Sequence, residues 1–348
     1  MEKSFKKPAF DYLGHVVSED KLVDRIYELD ELVKTITSNK GNVLLAGERR
    51  IGKSSLVRKA QALLEMKKVL TIRIDIRGYD ENPEGFLEEI LHILCYEIAL
   101  KIFDKTPTDM LLALTEDKAS TFKSKDFKKL FEIFKLLRVS NKTNVKNSSA
   151  QAGVNFLTIG NAEANKSKQQ SFAIGELTDY EFIHIAQELI SICQKSGFRT
   201  VTVIADEANH LAVKANKEFL RHYLEVFTER KVLFVFVTDI SLIDYKPFKD
   251  IFDVTIKLTP FRNISDLNEL LEKYVGADYN QIYPEIIVKE VWARGKGHPY
   301  ISQILFHNSL EEALKQNKYT VEIDDILRAW SELLESDKIS DVLKGLRE

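Results

Sequence analysis

Only two cysteines, Cys95 and Cys193, occur in the 348 residues, and both sit in helix-like apolar patterns. Buried free thiols are therefore expected rather than a disulfide framework. None of the seven histidines has another three or four positions away, which removes the simplest helical zinc site. The N-terminus, Met1 to Pro8, lacks the apolar stretch of a signal peptide. The longest apolar run near a strand, Val232 to Val237, is far too short to span a bilayer. No sign of charge dominates: the net charge is −3 and the pI about 6.2. Any contact with nucleic acid must then be local, and a membrane is not an expected partner. No internal repeat is visible. A cytoplasmic globular protein without structural metal is expected, with 44% hydrophobic and 30% charged residues in the ordinary range.

What is present is more specific. Gly47-Glu48-Arg49-Arg50-Ile51-Gly52-Lys53-Ser54 is a complete Gly-x(4)-Gly-Lys-Ser loop, preceded by the apolar run Asn42 to Ala46 and followed by helical spacing from Ser55. Strand, loop and helix form the context in which this motif cradles phosphate. Its backbone N–H groups converge on a phosphate chain, and the helix N-terminus adds partial positive charge. Lys53 is expected on the β- and γ-phosphates and the Ser54 hydroxyl on Mg²⁺.

Strands and helices alternate along 41–260, with strand runs at Val69–Ile76, Thr200–Ile204, Val232–Val237 and Val254–Leu258. Asn82-Pro83-Glu84-Gly85 breaks before a helix ending near Phe103, and helices are expected at about 178–196 and at about 214–229. This order predicts an α/β fold, a parallel sheet sandwiched by helices. From 261 to 348 the pattern is helical only, with helix starts near Ser265-Asp266, Pro284-Glu285 and Pro299 and a last long helix at about 322–336. Residues 1–40 precede the core as a separate segment. Residues 105–177 interrupt it: ten Lys or Arg against five Asp or Glu lie between 105 and 150, and 140–171 is rich in Asn, Ser, Lys and Gln. There Phe127, Leu130, Phe131, Phe134 and Leu137 form one stripe of an amphipathic helix over 126–138. A hairpin is expected around Val154–Ile159. The insertion reads either as a solvated excursion or as a contact for a protein or nucleic acid.

The second chemical signal is Val201 to Ala205 followed by Asp206-Glu207. Asp206 would hold the Mg²⁺ water shell, and Glu207 would orient or deprotonate a water at the γ-phosphate. The competing reading is a helix cap and first turn. Asn209 and His210 would cap that helix or touch the water. Thr238, at the end of the strand from Val232, is the candidate sensor of the γ-phosphate, or a turn cap. No Asn-Lys-x-Asp guanine motif occurs, so ATP and ADP are preferred.

These residues resemble a family. Val23-Asp24-Arg25-Ile26-Tyr27-Glu28-Leu29 looks like the box that opens AAA+-related and STAND-type ATPases. The loop, with Ser55 and Leu56 added, is similar to the form common in the archaeal-type branch of STAND proteins. Gly295-Lys296-Gly297-His298-Pro299-Tyr300 looks like that branch's lid motif. The resemblance spans about 20–335 outside the insertion. It implies a P-loop core of the ASCE type and a small all-helical lid, with Arg25, Pro299 and Gly47 to Ser55 around the nucleotide. Two departures separate the branches. Ring-forming AAA+ proteins place arginines where this chain has Ile251 and the lid run Pro299-Tyr300-Ile301. The resemblance thus implies a slowly hydrolysing STAND-like switch, with a DNA-associated AAA+-related ATPase as the alternative and a non-hydrolysing interaction module as a further one. Protein partners or self-association are expected. Arg49 and Arg50 either supply charge in cis or face solvent.

Overall fold

A computed structural model describes residues 22–79, 83–115, 122–140, 179–214, 217–240, 251–336 and 342. Five strands, β1 (Val43–Gly47), β2 (Val69–Asp75), β3 (Thr200–Asp206), β4 (Val232–Asp239) and β5 (Val254–Leu258), form one sheet in the order β2-β3-β4-β1-β5. Every pairing is parallel. A parallel sheet covered on both faces requires strands that are apolar throughout rather than alternating. β1 is buried at all five positions, and β4 at seven of its eight.

Alternation along the strands nevertheless divides the core into two layers. Val43, Leu45, Ile204, Leu233, Val235 and Val237 pack against α1 (Ile26–Thr37) and α2 (Lys53–Met66). Leu44, Ile72, Ile74, Val203, Phe234 and Phe236 pack on the opposite face. That face is covered by α3 (Pro83–Phe103), α6 (Asp179–Lys195) and α8 (Lys217–Glu229). Phe227, Phe234, Phe236 and Phe252 run through this second layer as successive ring contacts, with centroids 4.9 to 6.0 Å apart. Cys95 and Cys193 are buried free thiols within it.

The insertion does more than expected in its first half. It contains α4 (Pro107–Thr115), for which the sequence offers no clear period, and α5 (Lys125–Ser140), which includes the expected amphipathic span. All five residues of the α5 stripe are buried in the α3/α6 layer. At about 1.5–3 kcal/mol for each large apolar side chain buried, that stripe suffices to dock the helix. The hairpin expected around 154–159 lies outside the described residues. The helix expected at about 214–229 is α8, and a short helix, α7 (Asn209–Lys214), precedes it.

Beyond β5 the described elements are all helices: α9 (Ile264–Val275), α10 (Tyr279–Ile282), α11 (Glu285–Gly295), α12 (Pro299–Lys315) and α13 (Ile323–Glu335). They enclose a core of their own, with Leu267, Leu271, Val291, Leu305 and Ile326 buried around the Tyr283–Phe306 pair. The Tyr283 hydroxyl donates to the Phe306 carbonyl at 2.9 Å, so this large polar side chain is satisfied inside. Start signals locate the helices. Asp266 accepts the N–H groups of Arg262 and Asn263 at 3.1 and 3.0 Å, and Pro299 stands in the first turn of α12. Gly297, at φ +74°, precedes α12 where a Cβ would come within 2.7 Å of the Phe261 carbonyl. Its own carbonyl accepts the Phe261 N–H at 2.9 Å. That close approach ties the start of α12 to the end of the sheet.

Candidate active site

The C-terminal edge of a parallel sheet gathers strand tips, and here β2, β3 and β4 each end in an aspartate. Register sets Gly47 beside Asp239 and Asp75 beside Asp206. Because side chains alternate, Asp206 and Asp239 point with Ile204 and Val237 toward α2, the helix that carries the loop's Lys53 and Ser54. Ser54 Oγ lies 3.4 Å from Asp206 Oδ2. Lys53 Nζ is 3.6 Å from Asp239 Oδ1 and donates to the Gly47 and Glu48 carbonyls at 2.7 and 2.8 Å. Burial lowers the Lys53 pKa, and Asp239, Glu207 and Asp206 oppose that shift.

Gly52 closes the loop at φ +105°, a conformation that L side chains rarely adopt. Glu207 follows β3 in the left-handed region at φ +57°, a strain of the kind retained where the surroundings over-determine it. Its N–H donates to Asp206 Oδ1 at 3.1 Å, and its side chain lines the same cavity. Asn209 and His210, at the start of α7, line it too.

The cavity, of about 570 Å³, is shared between sheet and helical domain. Arg49, Arg50, Ile51, Gly52, Lys53, Ser54 and Ser55 line it from the loop, and Asp206 and Glu207 from β3. Arg25 and Pro299 reach it from the two flanking segments. Gly47, Glu48 and Thr238 do not line it. Thr238 is 2% exposed and faces the α3 layer with Phe236, its Oγ1 buried without a hydrogen-bond partner among the described residues. Strand period puts Asp239, not Thr238, beside Lys53, and the parity of Val237 could have indicated this. The sequence reading also passed over Arg73 and Arg77. Arg73 pairs with Asp206 across the strands, and Arg77 lines the cavity. A charged residue within the apolar run of β2 was the available signal for Arg73.

The wall opposite the loop is Leu22, Val23, Phe261, Leu270, Tyr300 and Gln303. Arg25 joins the walls: it is 3% exposed, donates to the Thr259 carbonyl at 2.7 Å and to the Asp24 carbonyl at 2.8 Å, and its guanidinium lies 5.8 Å from the Phe261 ring centre. Two further ties run from loop to α12. The Arg50 guanidinium lies 4.2 Å from the Tyr300 ring centre and also bonds the hydroxyl. His298 Nε2 is 3.3 Å from the Arg49 carbonyl. Burial pushes the His298 pKa down to about 4, so the ring is neutral at pH 7 and donates from Nε2.

Ser54 and Asp206 present two oxygens on one wall, which fits Mg²⁺, an ion that takes few protein ligands and completes its shell with phosphate and water. Among the described residues no group of three or more His, Cys, Asp or Glu side chains could hold a metal unaided. No described helix is long and apolar enough to cross a membrane.

No protein-family model matches this chain, and no curated protein sequence does. Solved structures do. The chain is similar to the Orc1 protein of Aeropyrum pernix solved in complex with DNA, with a TM-score of 0.51 and 15% identity over 92% of this chain and 68% of that one. It also matches the Thermotoga maritima RuvB Holliday junction branch migration motor at TM-score 0.45, with 13% identity over 90% of this chain and 69% of that one. The Orc1 likeness, at that identity, shows the fold: a P-loop parallel sheet followed by a helical domain. Nothing in these matches speaks for a STAND-type protein.

Proposed function

We propose that this chain is a Mg²⁺-dependent ATPase that closes its helical domain over the nucleotide and acts in association with DNA. One observation carries the nucleotide reading: strand alternation turns Asp206 and Asp239 toward the helix bearing Lys53 and Ser54, in a cavity that also takes Glu207. The loop N–H groups and Lys53 would bind the phosphates, and Ser54 and Asp206 would hold Mg²⁺. Glu207 would orient the attacking water or take its proton. ADP and ATP would both bridge core and lid. We assign residues 41–260 to the ATPase core, with 105–177 inserted, and 261–348 to the lid, with 1–40 contributing the Arg25 box. Calorimetric titration with ATP and ADP, with and without Mg²⁺, tests this. The expected result is saturable binding strengthened by Mg²⁺, and no binding of either nucleotide would overturn it.

The DNA-associated reading is supported by the insertion, where Lys123, Lys125, Lys128 and Lys135 are exposed around the buried stripe of α5. A likeness to an Orc1 protein solved with DNA points the same way. Anisotropy of a labelled duplex across a salt series should show binding that weakens with salt and strengthens with ATP. Binding of neither kind returns the balance to a nucleotide-held switch with a protein partner. The two ties from the loop to α12 favour that second reading, since they would let bound nucleotide set the position of the lid.

A further inference from the structure

Resting on the ATPase reading above, we infer that Arg77 is the arginine this chain brings to the terminal phosphate from within its own fold. Charge develops on the transferring phosphoryl group and the leaving oxygen, and an arginine supplied in cis or in trans commonly offsets it. Asp206, Glu207 and Asp239 already crowd the proposed phosphate end, so a triphosphate arriving there leaves a surplus of negative charge even beside Lys53 and Mg²⁺.

Two of the cavity's other arginines are committed to the join between the loop and the helical domain. Arg25 is buried and donates to three backbone carbonyls, those of Thr259, Asp24 and Ile51. Arg50 stacks on Tyr300 of the lid. Arg49 lines the cavity from the loop, and its backbone carbonyl accepts from His298. Arg73 is held by Asp206 and does not line the cavity.

Arg77 stands on the other side, in the short 3-10 turn Ile76–Tyr79 that ends β2. This turn packs against α7, the helix that begins two residues after Glu207. Its side chain is 64% exposed and lines the cavity. Here it is held by Asp75, which accepts from Nε at 3.0 and 3.1 Å and from Nη2. Asp75 is the register partner of Asp206, so the pair sits at the edge of the proposed Mg²⁺ position. Asp75 keeps the Arg77 pKa above its ordinary value, and Glu207 and Asp206 add to that field.

When triphosphate binds, the guanidinium exchanges the Asp75 carboxylate for two oxygens of the γ-phosphate, whose spacing suits its planar fork. During hydrolysis a bond forms from water oxygen to the γ-phosphorus, the bond to the β–γ bridging oxygen breaks, ADP leaves with that electron pair, and Glu207 takes the water proton. Arg77 neutralises the charge that shifts in the process. Asp75 is then a parking place, not part of the machinery.

The test uses the full chain in a Glu207→Gln background, so that ATP persists, with ATP and ADP affinities measured by calorimetry. Arg77→Ala should weaken ATP by about tenfold or more while ADP stays within about twofold, and Arg77→Lys should recover part of the loss. Asp75→Asn, which frees the guanidinium, should bind ATP as tightly as the parent or tighter. Equal loss of ATP and ADP in Arg77→Ala, no loss of either, or an Asp75→Asn variant as weak as Arg77→Ala would each overturn the inference. A parent that binds neither nucleotide fails the ATPase reading instead, which separates the two.

Discussion

The two ends of the cavity are built in different ways. At the proposed phosphate end, Lys53, Ser54, Asp206 and Asp239 stand on adjacent strand tips or on the helix that follows one, so each position depends on a short stretch of chain. At the lid end, Leu22, Val23, Phe261, Leu270, Pro299 and Tyr300 come from three distant segments and meet only because the helical domain docks. The first end is strongly charged and set by strand register, so single substitutions there should act steeply on one step. The second is a set of weak ties, so changes there should spread over nucleotide retention and lid motion.

The largest contrast should come from Glu207→Gln. Hydrolysis should fall by roughly two orders of magnitude, as for loss of a base or water-orienting group, while ATP binding persists. Unchanged turnover would leave the carboxylate pair as a helix cap. Next, Lys53→Ala should weaken ATP by about ten- to a hundredfold, because a charge-assisted contact to phosphate is lost. Asp206→Asn should instead reduce the gain in affinity that Mg²⁺ confers. Equal ATP binding by Lys53→Ala and the parent would break the phosphate-end assignment.

At the lid end, replacing His298-Pro299 by Ala-Ala should shorten ADP retention without altering the phosphate cradle. Hydrogen exchange should show nucleotide-dependent protection at 47–55 in both proteins and at 290–305 in the parent alone. Absence of protection at 290–305 in the parent would make the site independent of the lid. Acid should probe the same tie. His298 is held neutral with a pKa near 4, below its ordinary value, so the unfolded chain binds more protons between pH 6.5 and 4. Stability is then present above 6.5 and lost as pH falls through that window, and a His298→Gln variant should show a shallower loss in thermal melts. The smallest effect belongs to Tyr300→Ala. An exposed cation–π contact contributes about 0.5–1 kcal/mol, so a few-fold faster ADP release is expected. An effect as large as that of Lys53→Ala would mean that lid and cradle form one unit.

The strands that carry the chemistry were legible because a doubly covered parallel strand must be apolar and because the loop motif fits only between strand and helix. The α5 stripe was legible for the corresponding reason of helical period. Thr238 shows the limit. A polar residue at a strand tip was visible, but its face follows from strand parity, and β4 runs two residues past the apolar run to Asp239. Helix α4 was missed because its nine residues are short and its apolar side chains follow no clear stripe in isolation.

The sequence by itself determined the phosphate loop, the carboxylate pair, the order of strands and helices, and a helical segment after Pro260. Those are properties of neighbouring residues, carried by spacing and backbone conformation. Tertiary structure decided which strands adjoin, which tips share a face, and that Arg77, Asp239, Phe261 and Tyr300 meet around one cavity. Such contacts join segments up to about 250 positions apart, as Arg50 and Tyr300 are. No local pattern encodes them: they exist only once two separate cores have formed and the burial of both has brought their edges together.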